Sequence, residues 1–145
     1  METNPFQNKI TLLRRYTVTI QSPSGKYVTT YDPARKIVTE EVMGVWTEED
    51  FKSYNQEFLS KIVSAIKMQP WCLLSDTSKY VISDLGNSVT ERSEQLASLN
   101  LQHVAIVVNS AAVKMQMNRA VGNKLSMQAF TTKEEANDWL KSKGF

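Results

Sequence analysis

The sequence predicts a single-domain α/β fold: a mixed β-sheet with an antiparallel N-terminal meander, a parallel C-terminal part and four helices. Three observations carry that expectation. Apolar residues recur with period two in the first third of the chain, then alternate between helical stripes and short continuous runs. The 145 residues suffice to bury one core without disulfides or metals. Hydrophobic and charged shares of 41% and 22% are those of a folded globular chain, which excludes disorder.

The elements follow in order. Tyr16, Val18 and Ile20 alternate with Thr17, Thr19 and Gln21, the pattern of a half-buried strand. Ser22-Pro23-Ser24-Gly25 supplies a turn, and Lys26 to Tyr31 reads as a second strand closed by Asp32-Pro33-Ala34-Arg35. A third strand runs from about Lys36 to Trp46, completing the meander. At Thr47 the period changes. Phe51, Tyr54, Phe58, Leu59, Ile62, Val63 and Ile66 form an amphipathic stripe, with Thr47 and Asp50 spaced as a capping box and Pro70 ending the helical region.

Trp71-Cys72-Leu73-Leu74 and Val104 to Val108 are continuous apolar runs, as expected of strands covered on both faces. Between them a second helix is opened by Ser88-Val89-Thr90-Glu91 and turns Val89, Leu96 and Leu99 inward. A third helix spans about 111–121, with Val113, Met117, Ala120 and Val121 on one face and Gly122-Asn123 closing it. Met127 to Phe130 is the last strand. Thr132 to Glu135 caps a final helix that buries Ala136, Trp139 and Leu140. The order β-β-β-α-β-α-β-α-β-α requires right-handed crossovers and parallel pairing in its second half.

Composition removes several function classes. A net charge of +2, with no basic run longer than Arg14-Arg15, gives no field to attract nucleic acid. Met1 to Arg15 lacks the apolar stretch of a secretory signal, and no run is long enough to span a membrane; the expectation is a cytoplasmic protein. The single cysteine, Cys72, reads as a small buried hydrophobe. His103 is the only histidine and precedes a buried strand, so a catalytic triad or a His/Cys metal site has nothing to build on. Without a G-x-G-x-x-G or P-loop, no nucleotide cofactor is expected. The pairs Glu40-Glu41, Glu48-Glu49 and Glu134-Glu135 read as solvated charge, the latter two at helix starts.

Gly44-Val45-Trp46-Thr47-Glu48-Glu49-Asp50-Phe51 resembles the G-x-W-T-x-E-D-F/Y segment that opens the first long helix of SpoIIAA-like proteins, a STAS-like group of small bacterial α/β proteins. An apolar strand ending in aspartate, Leu73-Leu74-Ser75-Asp76, then follows, and His103 to Val108 echoes an R/H-V-A-V-V strand. Phe130 to Leu140 matches an F-x-x-x-E-E-A-x-x-W-L ending. The resemblance covers roughly residues 15 to 142, which sets residues 1–14 apart as an N-terminal extension and 15–145 as the SpoIIAA-like domain.

The resemblance implies a non-enzymatic regulatory or protein-interaction module. In the anti-sigma-factor antagonists of the group, a serine in a D-S-[ST]-G-L motif is phosphorylated at a helix N-terminus. The motif aspartate falls on Asp84, but Leu85-Gly86-Asn87-Ser88 follows it, so the hydroxyl is missing from its expected place. Ser83 and Ser88 flank the position; Ser88 is accounted for as an N-cap, and a helix N-terminus there could still receive an anion that Asp84 repels.

Candidate ligand- or partner-binding residues are therefore Asp76, Ser83, Asp84, Ser88 and Met115. Asp76 ends a strand at the carboxyl edge, where open α/β sheets place ligands. Met115, two residues from Met117, points away from its face, toward solvent or a partner. Two function classes remain: a regulatory module with an unidentified protein partner, or a carrier or sensor of a small apolar, lipid-like ligand. A deep cavity lined by Phe51, Phe58, Met117 or Trp139 favours the carrier; a filled core with a flat apolar patch favours the module. An enzyme would require Asp76, Asp84 and His103 to converge in one cleft. The open sheet edges make a homodimer conceivable without specifying it.

Overall fold

Six strands pair in the order in which they occur in the chain: β1 (Val18–Gln21), β2 (Tyr27–Asp32), β3 (Ile37–Val45), β4 (Trp71–Val81), β5 (Leu101–Val107) and β6 (Ser126–Phe130). The computed structural model describes residues 17–81, 86–120 and 126–145; the side chains of 86–90, 116, 117, 119 and 120 lie outside that description. β1, β2 and β3 are antiparallel, and β3 to β6 run parallel. The mixed sheet is the expected one. α1 (Glu48–Glu57), α2 (Gly86–Ala97) and α3 (Ala111–Ala120) lie between successive parallel strands, and α4 (Lys133–Ser142) follows β6.

The first helix starts where its cap says it should. The Thr47 hydroxyl accepts from the Asp50 N–H at 3.1 Å, and the Asp50 carboxylate accepts from the Thr47 N–H at 2.9 Å. Lys26 adds an ion pair to Asp50 at 2.6 Å, fixing the helix start to the β1–β2 turn. After Glu57 the helix continues as a π-helical segment (Phe58–Val63) and one α-helical turn (Ser64–Ile66). The wider π turn suits a four-residue spacing, and Phe58, Ile62 and Ile66 are all buried at that spacing. The helix ends before Pro70 is reached: Lys67 and Met68 are both left-handed, with φ of 56° and 64°.

Two expectations need correction. Ser88 is not an N-cap, because the backbone of α2 is already helical from Gly86. β4 does not stop at the apolar run but continues to Val81 through Ser75-Asp76-Thr77-Ser78-Lys79-Tyr80, its polar residues being held by pairing with β3.

The two sheet faces bury different cores. One carries Ile20, Val38, Leu73, Val104 and Ile106, covered by Tyr54, Phe58, Ile62 and Ile66 from the first helix and Leu96 from α2. The other carries Ile37, Cys72, Leu74, Ala105, Val107 and Phe130, covered by Ala136 and Leu140 of α4. The Thr132 hydroxyl caps α4 by accepting from the Glu135 N–H. No helix among the described residues is long and apolar enough to cross a membrane.

Candidate functional site

The strand register places three polar residues side by side on the face covered by the first three helices. Thr29 of β2 pairs with Glu40 of β3, and Glu40 with Ser75 of β4. Thr29, Glu40 and Ser75 are all buried. A polar row inside an apolar layer is costly unless every group finds a partner, and the helices above supply them. Tyr54 of α1 donates its hydroxyl proton to Glu40 Oε1 at 2.6 Å, while Ser75 donates to Oε2 at 2.6 Å. Arg92 of α2 completes the shell, Nη2 to Oε1 at 2.8 Å and Nη1 to Oε2 at 3.3 Å. Because the single phenolic proton of Tyr54 is committed to Glu40, Thr29 is the donor in the 2.7 Å contact with the Tyr54 oxygen.

Each Glu40 oxygen thus accepts two hydrogen bonds, and side-chain exposure is only 3% for Glu40 and 13% for Arg92. Burial opposes ionisation of Glu40, but the Arg92 charge and the hydrogen bonds from Arg92, Ser75 and Tyr54 outweigh it and hold the carboxyl below its ordinary range. Burial and the neighbouring Glu40 charge push the Tyr54 phenol well up. Glu40 likewise keeps Arg92 firmly protonated despite desolvation. The guanidinium also lies near two rings, its central carbon 4.7 Å from the Phe58 centroid and 5.3 Å from that of Tyr54. Arg92 Nε is buried and has no hydrogen-bond partner among the described residues.

This cluster forms part of the wall of a cavity of about 480 Å³. Leu73, Val104 and Ile106 contribute the sheet wall, Phe51 and Tyr54 the α1 wall, Leu96 the α2 wall, and Val113 and Met127 the far side. The cavity reaches from Leu101, at the start of β5, to Tyr80 and Asn109 beyond the strands' middle. An irregularity in the β3–β4 register lets Thr77 and Tyr80, three residues apart, both line it; the pairing shifts by one residue between Glu41 and Met43. Tyr80 and Tyr54 each stand edge-on to Trp46, whose indole N–H donates to the Met43 carbonyl at 2.9 Å. Trp46 is thereby fixed in the wall.

The residues singled out from sequence are not gathered here. Asp76 faces the opposite side of the sheet, where it accepts from the Ser78 N–H at 3.0 Å and hydroxyl at 2.6 Å, with Lys133 Nζ at 3.5 Å. Burial raises its pKa, yet these hydrogen bonds and Lys133 hold it below the ordinary value. Ser83 and Asp84 lie outside the described residues, as does the side chain of Ser88. Met115 is exposed, as expected, on α3. His103 contacts the Ser126 hydroxyl through Nδ1 at 2.8 Å and packs edge-on against Trp139 and Phe145. It pairs with Cys72, four residues along β4 from Asp76, which at about 3.3 Å per residue separates the two by roughly 13 Å. They do not form a cleft. Of the four residues named as cavity markers, Phe51 lines the cavity, Phe58 is buried beside it, Trp139 sits on the other face, and the Met117 side chain is outside the described set.

Sequence reasoning missed Glu40, Ser75 and Arg92. Glu40 stands in a Glu-Glu pair that reads as solvated charge, whereas adjacent strand residues face opposite sides, so Glu40 is buried while Glu41 reaches Lys133. Arg92 carried a usable signal: it stands four residues before Leu96, on the inward stripe of α2.

No family model matches this sequence, and no curated protein does. Among solved structures, an uncharacterised protein of the DUF3478 family from Shewanella loihica PV-4, described as having a SpoIIAA-like fold, is similar over 86% of this chain and 92% of its own, with a TM-score of 0.57 and 18% identity. At that identity the likeness speaks for architecture alone. The sequential mixed sheet and its four helices are a SpoIIAA-like fold.

Proposed function

We propose that this protein is a non-enzymatic carrier or sensor that holds a small, largely apolar ligand between the sheet and helices α1 to α3. The cavity carries this reading. Its volume of about 480 Å³ lies within the roughly 300–1,000 Å³ of small-molecule sites, and its mostly apolar wall with a few convergent polar groups is the usual make-up of such sites. Water gains little against Leu73, Val104, Ile106 and Leu96, which offer it no side-chain hydrogen bonds. An apolar occupant suits the space better.

The cluster supports a binding role rather than catalysis. Glu40 is saturated by four donors and Tyr54 is held protonated, so neither serves as a free base or nucleophile at neutral pH. The reading places the protein in the cytoplasm, in keeping with a lone buried thiol at Cys72. The test is native mass spectrometry of gently purified protein, followed by solvent extraction. A bound apolar molecule is expected, and Val104→Phe, which narrows the cavity, is expected to weaken its retention. Retention undiminished by the narrowing, or a protein that binds no apolar probe, counts against the carrier.

A second reading, the regulatory interaction module, draws on Val45 and Val81. These register partners at the ends of β3 and β4 are 59% and 51% exposed, and they adjoin Trp46 and Tyr80 of the cavity wall. A partner docking on them would sense what the cavity holds. Val45→Asp with Val81→Asp should abolish such docking while leaving ligand binding intact, as read by calorimetry.

A further inference from the structure

Building on the carrier reading, we infer that the ligand is electrically neutral and carries a hydrogen-bond acceptor, such as a ketone or ester carbonyl, at the Arg92 end of an apolar body. The charge arrangement around the cavity selects this chemistry. Among the described residues, Arg92 is the cation in the cavity wall, and Glu40 already neutralises it through two contacts at 2.8 and 3.3 Å. An incoming carboxylate would therefore meet a neutral pair and leave a net negative charge in a desolvated space, beside the Glu40 carboxylate. An incoming ammonium would find Glu40's oxygens fully engaged by Tyr54, Ser75 and Arg92. Neither ion is matched.

Donors, in contrast, are in surplus. A guanidinium has five N–H groups, and Glu40 engages one on each terminal nitrogen. One N–H on each terminal nitrogen is left over on a residue that lines the cavity, and a neutral acceptor engages such a donor without adding charge. The Phe58 and Tyr54 rings beside the guanidinium help hold it against Glu40.

Three probes of one chain length separate the possibilities: 2-dodecanone, laurate and dodecylammonium, titrated into the full chain at pH 8 by isothermal calorimetry. The ketone is expected to bind at least ten-fold tighter than either ion. Laurate binding as tightly as the ketone, or tighter, overturns the neutral-ligand inference while leaving the carrier standing. Binding of none of the three overturns the carrier itself. Glu40→Gln supplies a second readout, because it leaves Arg92 uncompensated. If its circular dichroism is that of the parent, the ratio of laurate to ketone affinity should rise at least ten-fold; an unchanged ratio overturns the proposed role of the ion pair.

Discussion

The two faces of the sheet are made from the same strands and solve packing differently. On the α4 face, Cys72, Ala105 and Ala136 are small and completely buried where the helix packs on the sheet. On the opposite face, Phe51, Tyr54 and Trp46 with the helices above stand off from Leu73, Val104 and Ile106, and the polar cluster braces the gap. Residue parity decides everything: Leu73 and Ser75 serve the cavity, while Cys72, Leu74 and Asp76 serve the closed side. One face is a core. The other is a core with a room in it.

The contrast can be broken most severely at the brace. Arg92→Ala leaves Glu40 charged and buried with only Tyr54 and Ser75 as partners, and about 3–5 kcal/mol of stability should be lost. Equilibrium urea unfolding checks this, and a loss under about 1 kcal/mol would mean the pair behaves as a surface bridge. On the closed face, Leu140→Ala removes a fully buried side chain, with an expected cost of about 2–5 kcal/mol by the same assay.

Matched enlargements compare the faces directly. Ala105→Leu forces a larger side chain into the layer beneath α4 and is expected to cost about 1–3 kcal/mol. Val104→Phe, one residue away, grows into the cavity and should shift stability by less than about 1 kcal/mol. Equal penalties would mean the cavity is not available space.

A smaller effect is set by pH at Asp76. Asp76 is held below its ordinary pKa, so the stability it contributes is present above about pH 4 and is lost as the pH falls through its folded value. The unfolding midpoint of Asp76→Asn should accordingly converge on that of the parent as pH is lowered from 6 to 3. The least effect is expected at Cys72: burial pushes its thiol up to about 12, so iodoacetamide at pH 8 should leave the native protein unlabelled and modify it only in denaturant.

The sequence made the architecture readable because its periods switch cleanly. Thr47 to Asp50 announced a helix start in full, and the alternation of apolar runs with stripes gave the element order. The site was hidden for a physical reason. A strand buried on both faces shows no alternation, so Trp71 to Leu74 carried no information about which of Ser75 and Asp76 faces which side. Asp76 stands at the opposite parity to Ser75, beside Lys133, and does not line the cavity. Glu40 is obscured by its neighbour Glu41, and its partner Arg92 lies 52 residues away, marked only by its place four residues before Leu96. That place shows Arg92 facing inward but not which charge it meets.

The plain sequential order of the strands has a consequence for how the chain assembles. Each strand hydrogen-bonds only to its immediate predecessor and successor, so no strand must wait for a distant segment or be inserted between two already joined. The sheet can be laid down one edge at a time as a nascent polypeptide leaves the ribosome, each new strand finding a ready template and closing only a modest loop. Helix α4, which contacts β4, β5 and β6, comes after all of them, so the surface bearing Cys72 and Ala105 is the last to be covered during synthesis. That exposed interval is when a chaperone would have something to hold.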